Sequence, residues 1–411
     1  MKNKIRYKKT CIWGLLCISV CFIMIFPLYG LGIENKYLPL MIMMGLSPLV
    51  VLFDGYKPDK NLALLLGILF IMFMVGKVFH PETFRMNSYV YTIAFFVLFL
   101  SYDVVIQKNA IPIKTLEKFF RYLIYAYALV LLIQQLEVLV GIEKPINLTM
   151  FGGREDNPFK LNSLAIEPSN VGRIMPCVMF CWMKIQEILR NESKYMYKHI
   201  WKEDIKIWIL FLYVTLGCGS MTSFFSVVVL FLYFVNKKNI KYLPFILLFG
   251  GGLILGLMKA SPKMNERIEN LFKVNYSSAD MIVDTDASSS ARIVPFIIYF
   301  NSIGLDSGTI LGHGMDALEK ESTYLIVTPE RIANDDRVGA NNIFGLLYNY
   351  GIFCGILFFI FLFRNISPKF ISYETLFYFL IFIVQYINDF VLWGFIFCMM
   401  TIKKYNLIYR K

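Results

Sequence analysis

The 411 residues are 57% hydrophobic and only 17% charged, with a mean hydropathy of +0.58. A soluble globular protein carries about 25% charged residues, so this composition excludes that class and gives a polytopic membrane protein. The formal net charge of +12 does not call for nucleic acid, because surplus Lys and Arg in a membrane protein sit on cytoplasmic loops and set its orientation.

Lys2, Lys4, Arg6, Lys8 and Lys9 precede a first apolar block, residues 11–31. The basic start is that of a signal peptide, but the span-like length and the lack of a small-residue cleavage site predict a retained first helix. Blocks suited to spans follow at 37–53, 61–79, 89–106, 119–142 and 171–189, the last with Arg173 and Lys184 inside it. A first polar loop, 143–170, separates the fifth block from the sixth. The run 205–235 is too long for one span, and Gly217-Cys218-Gly219-Ser220 predicts a tight turn dividing it. After 242–258 and 342–363 comes 373–402, with Gln385, Asn388 and Asp389 near its centre. An Asp at mid-bilayer costs about 2.5–3.5 kcal/mol, so Asn388-Asp389 reads as a hairpin tip. The sum is one all-α polytopic integral membrane domain of about twelve transmembrane helices.

Charge supports that division. With the N-terminus inside and both long runs split, most of the 41 Lys and Arg fall on inner segments, which predicts cytoplasmic termini and places loops 143–170 and 259–340 on the outer face. The eight cysteines all lie in or beside apolar blocks, which argues against a disulfide framework or a Cys-ligated metal. There is no P-loop, no HExxH and no Asp-rich metal–nucleotide motif, so neither a metal nor a cofactor is expected. The lack of matching halves argues against transporters built from inverted repeats.

The two outer loops hold the residues able to carry chemistry. In the first, Phe151-Gly152-Gly153-Arg154 is followed by Glu167-Pro168-Ser169 and Arg173. Pro168 suits the first helical position, which places Glu167 at the entrance of the sixth span. An outward-facing helix start with Arg173 near it suits an anion such as phosphate, while Glu167 equally suits a helix cap paired with Arg173. In the long loop Arg292 opens an apolar run that predicts an interfacial helix near 291–303. Arg292 fits either a snorkelling anchor or a bidentate phosphate clamp. His313, between Gly312 and Gly314, is the loop's one histidine and fits either a proton shuttle or a structural turn.

Taken together, Glu167-Pro168-Ser169 after an outer loop, the divided pair at 217–220, Arg292, Gly312-His313-Gly314 and the run 341–352 beginning Asn341-Asn342 resemble the bacterial O-antigen and capsular polysaccharide polymerases, relatives of the O-antigen ligases. One departure is that this chain has Ala340-Asn341-Asn342 where relatives often show His-Asn. The resemblance implies a metal-independent glycosyltransferase in the bacterial inner membrane. It would move a growing glycan from its undecaprenyl diphosphate carrier onto the next lipid-linked repeat unit. Under it Arg154, Arg173 and Arg292 hold the diphosphate, Glu167, Arg292 and His313 are catalytic, and Asn341 and Asn342 face the glycan. The implied partners are the lipid-linked glycan, the bilayer, and a chain-length regulator and flippase of the same pathway. A ligase using the same donor is the nearest alternative, and a non-enzymatic flippase or other transporter is the rival from another class.

Overall fold

In the computed structural model, the structure describes residues 2–23, 38–142, 145–146, 160–235, 252, 287–304, 306–326, 343–367, 369–382 and 387–409. Helices are the only regular structure among them. They are α1 (Lys2–Phe22), α2 (Leu38–Asp54), α3 (Lys60–Phe79, its last turn π-helical), α4 (Met86–Gln107) and α5 (Ile113–Leu139). Next come α6 (Pro168–Leu189), α7 (Lys198–Lys202), α8 (Ile205–Gly217) and α9 (Met221–Leu232). The long-loop region holds α10 (Ala287–Ser302), α11 (Ser307–Leu311) and α12 (Ala317–Ile326), and the chain closes with α13 (Ile343–Ile366), α14 (Tyr373–Phe382) and α15 (Phe390–Tyr409).

Five helices, α3, α4, α5, α13 and α15, are long and apolar enough to cross a membrane. Shorter apolar helices, α2, α8, α9 and α14, accompany them, as in a multi-pass membrane protein. Both expected divisions are present. Cys218–Ser220 turns the chain between α8 and α9, with Gly219 in the left-handed region (φ 62°). At the second division Asp389 caps α15 by accepting from the Val391 and Leu392 N–H groups at 2.8 and 3.2 Å. The first helix differs from its expected start at 11: it begins at Lys2 and includes the basic residues. Helix α10 also starts earlier than expected, at Ala287, and α12 was not legible as a helix in an acidic stretch of loop. The expected span 242–258 lies, apart from residue 252, outside the described residues.

Hydrogen bonds sort the helix ends onto two faces. Lys403 Nζ donates to the carbonyls of Arg364 and Ser367, and Arg364 Nε and Asn365 Nδ2 reach Asn61 Oδ1 at 3.1 and 3.3 Å. Lys57 and Gln107 exchange two hydrogen bonds, and Lys108 pairs with Asp54 at 3.1 Å. The C-terminal ends of α2, α4, α13 and α15 thus meet the start of α3 at one end of the bundle, together with Lys57, Lys60, Lys108 and Lys114. This is the basic end. The starts of α4, α6, α13 and α15 lie at the other, the loop end.

Between the ends the core is aromatic. Trp393 of α15 is fully buried and stacks on Phe95 at 5.9 Å between ring centroids, with Phe99 and Phe361 at 5.8 and 6.0 Å. Tyr102 stacks on Phe397 at 4.3 Å and bonds Thr401 at 2.6 Å. Such pairs contribute about 0.5–1.5 kcal/mol each beyond their buried area. They fix how α4, α13 and α15 cross, and therefore where the loop-end termini stand.

Candidate functional site

Pro168 occupies the first turn of α6, where its missing N–H leaves no hydrogen bond unmade, and Glu167 stands at the N-cap with extended backbone (φ −133°, ψ 153°). Its carboxylate does not cap the helix N–H groups. It accepts instead from the Ser169 hydroxyl at 3.0 Å and is half-buried. The sequence left open whether Glu167 served as a cap paired with Arg173, and the geometry sets aside side-chain capping. Arg173, just over a turn into α6, acts electrostatically on Asp389 at the start of α15. Desolvation raises the Asp389 carboxyl above the usual carboxylate range, opposed by Arg173 and by the N–H groups of Leu392 and Val391.

The chain leading into Glu167 is itself buried. Residues 161–166 are all inside the bundle although none is helical. Buried irregular backbone must find partners for its polar groups, and Gln134 of α5 supplies them. Its Oε1 accepts from Ser163 N–H at 2.9 Å, and its Nε2 donates to the Ile146 carbonyl at 2.7 Å and to Asn162 Oδ1 at 3.4 Å.

Across the loop end, the long-loop segment 306–321 is seated on a break in α13. Gly351 leaves the helix (φ 75°, ψ 175°), which exposes the carbonyls before it. His313 N–H donates to the Tyr348 carbonyl and Gly314 N–H to the Asn349 carbonyl, both at 3.0 Å. The Asn349 side chain, fully buried, accepts from Leu318 N–H and donates to Glu319 Oε2, both at 2.9 Å. The His313 ring stacks on Tyr348 at 4.1 Å with Nδ1 3.2 Å from the Tyr348 carbonyl, and Tyr348 donates to Glu321 at 2.5 Å. Gly312 and Gly314, at φ 89° and 102°, allow this approach: a Cβ on Gly312 would strike the Asn349 carbonyl, and one on Gly314 the Thr83 and His80 side chains.

A polar path joins the two parts. Asp316, in the left-handed region (φ 58°), accepts from the Ser88 hydroxyl at 3.2 Å and stands 3.7 Å from Arg85 Nη1. One turn along α4, Thr92 donates to Asn388 Oδ1 at 2.9 Å, beside Asp389. Of the residues singled out from sequence, Glu167, Arg173 and His313 therefore share the loop end. Arg292 belongs to α10, with its side chain outside the described residues; Arg154, Asn341 and Asn342 lie outside them too. The sequence reading missed Arg85, Asp316, Gln134 and Tyr348-Asn349. The available signal was a pair of polar positions, Ser88 and Thr92, one turn apart on one face of a largely apolar helix.

No group of three or more His, Cys, Asp or Glu able to hold a metal ion occurs among the described residues. The thiols are free, and Cys181 of α6 lies within hydrogen-bond reach of Cys177 and of Cys398 on α15. No family model, curated protein or solved structure matches the chain.

Proposed function

We propose that this chain is a membrane glycosyltransferase that polymerises undecaprenyl-diphosphate-linked oligosaccharide repeat units. It has about twelve spans, its basic end is cytoplasmic, and its loop end is at the outer face of the bacterial inner membrane. The orientation rests on the gathering of Lys and Arg at one end of the bundle. The observation that supports the chemistry is a half-buried carboxylate not spent on capping, Glu167, at the start of α6, on the same helix end as the Arg173 guanidinium.

In this reaction an acceptor hydroxyl oxygen attacks the anomeric carbon of the donor glycan, and the bond from that carbon to the diphosphate oxygen breaks. The hydroxyl proton passes to Glu167 as general base. The electron pair leaves with the lipid diphosphate, whose growing charge is met by Arg173, with Arg292 and Arg154 as further contacts. Positioning accounts for much of such catalysis, since the donor already carries its own leaving group.

The test uses the purified full-length protein with lipid-linked repeat units. The parent makes long polymer. Arg173→Lys and Arg292→Lys retain charge but lose the fork geometry suited to phosphate, and are expected to reach parental membrane levels while leaving single repeat units unjoined. Parental polymer from both Lys variants would remove the arginine clamp from this mechanism.

A further inference from the structure

The first loop returns to α6 through a strap, residues 161–166, that is buried throughout, and nothing in the reaction above accounts for its construction. A loop that only linked two spans would run over the surface, where water satisfies its backbone. This one runs inside and therefore requires dedicated partners. Ser163 is fully buried and held in the left-handed region (φ 49°), a conformation that is unfavourable for a residue with a Cβ and persists where the surroundings enforce it. Three contacts enforce it here. The Ser163 N–H donates to Gln134 Oε1 at 2.9 Å, the Ser163 hydroxyl donates to the Tyr127 carbonyl at 2.7 Å, and Asn162 Nδ2 donates to the Ala165 carbonyl at 2.5 Å. Gln134 and Tyr127 lie two turns apart on α5, so both fix the strap to a single rigid helix.

The strap ends at Glu167. With Ser163 fixed to α5 and Pro168 fixed as the first residue of α6, only four residues, 164–167, separate the anchor from the helix start, and the Glu167 backbone has little freedom left. We propose that Gln134 is the positioning residue for Glu167: its buried amide holds the strained strap that sets where the Glu167 carboxylate stands. The inference rests on the reading of Glu167 as the general base. It adds a residue from a different span, remote in sequence, to the machinery of that base.

The test is a double-mutant cycle on the full-length protein. Gln134→Leu removes the amide while keeping an apolar side chain suited to the bundle, and Gln134→Glu keeps the acceptor for Ser163 N–H but loses the donors. If Gln134 acts through Glu167, Gln134→Leu lowers kcat by about tenfold to a hundredfold, since a misplacement of about 1 Å has that effect. Gln134→Glu then retains part of the rate. In the Glu167→Gln background the same Gln134→Leu change lowers the rate by less than about threefold, because interacting residues do not add. Losses that simply multiply in the double variant would overturn the proposal, as would a Gln134→Leu enzyme with parental kcat. Amide exchange at Ser163 provides a readout independent of turnover: slow in the parent and fast in Gln134→Leu, while the amides of the span bundle keep their protection. Unchanged protection of Ser163 would also overturn it. A parent protein that makes no polymer would instead defeat the reading under Proposed function, and the exchange experiment would then decide the strap by itself.

Discussion

The two ends of the bundle differ in what dominates their polar contacts. At the basic end, Gln107 and Lys403 hold backbone, but the larger clusters are charged side chains paired with one another. Lys184 bridges Glu187 and Glu374 at 2.8 and 3.1 Å, linking α6 to α14, and Tyr233, just past the end of α9, donates to Glu187. Arg190 meets Glu203 and Asp204 at 3.1 and 2.9 Å, Tyr195 donates to Asp204 at 2.6 Å, and His199 lies 2.9 Å from Glu192. At the loop end, side-chain amides bind backbone, Gln134 holding the strap and Asn349 the long-loop segment. The first arrangement neutralises charge in place and ties short helices together. The second anchors irregular chain next to the start of α6, where Glu167 accepts from Ser169 and Arg173 acts on Asp389. Buried ionisable groups are therefore weak evidence of chemistry in this protein when their partners are other side chains of the same cluster.

The sharpest way to break this comparison is to show that the ends are on the wrong sides of the membrane. Cysteine placed at Glu82, which is exposed at the loop end, is expected to react with an impermeant thiol reagent in intact cells, whereas cysteine at Glu203, exposed at the basic end, is expected to react only after lysis. The effect is all or none, and the reverse pattern would place the candidate site in the cytoplasm. Next in size is Glu187→Leu, which leaves the Tyr233 hydroxyl without its acceptor and takes one of two carboxylates from Lys184. Breaking a buried pair costs about 3–5 kcal/mol, so detergent-solubilised protein should melt well below the parent. A parental melting temperature would mean that the basic-end cluster contributes no stability.

Asn349→Leu sharpens the other half of the comparison. It leaves Leu318 N–H and Glu319 without their amide partner, a loss of about 1–3 kcal/mol for the seat of segment 313–319. Limited proteolysis should then cut that segment while the span bundle stays intact. Equal protease resistance would show that the backbone bonds of His313 and Gly314 suffice. The smallest effect concerns Asp306, which accepts from Thr309 N–H at 2.8 Å at the start of α11. The Thr309 N–H holds its carboxyl below the usual carboxylate range. A lowered pKa means the cap is fully in place at neutral pH and is lost only as pH falls through that lowered value. The protection factor of the Thr309 amide should accordingly stay constant from pH 8 down to about 5, above the ordinary Asp range of about 3.9, and a loss of protection within that window would refute the assignment.

Much of the architecture was legible in the sequence because the bilayer imposes local rules. Apolar length marks a span, Gly-Cys-Gly-Ser can only turn, and Asn388-Asp389 could not rest at mid-bilayer, so the positions of both hairpins followed from composition along the chain. Pro168 likewise pointed to the start of α6 and the place of Glu167, since proline is favoured at the first helical position, although Pro176 shows that the interior of this helix also accommodates one. Tertiary structure alone decided which groups meet. Nothing local to Gln134, Asn349 or Asp316 marks them, because their partners lie 29, 31 and 228 residues away. The break in α13 was equally hidden: glycine is common inside membrane helices, and nothing local to Gly351 announces that it leaves the helical conformation where Ile310 and Gly312 lie against it. Span and turn are set by a segment's own transfer energy, whereas the seat of a loop is set by hydrogen bonds that exist only once distant helices have packed.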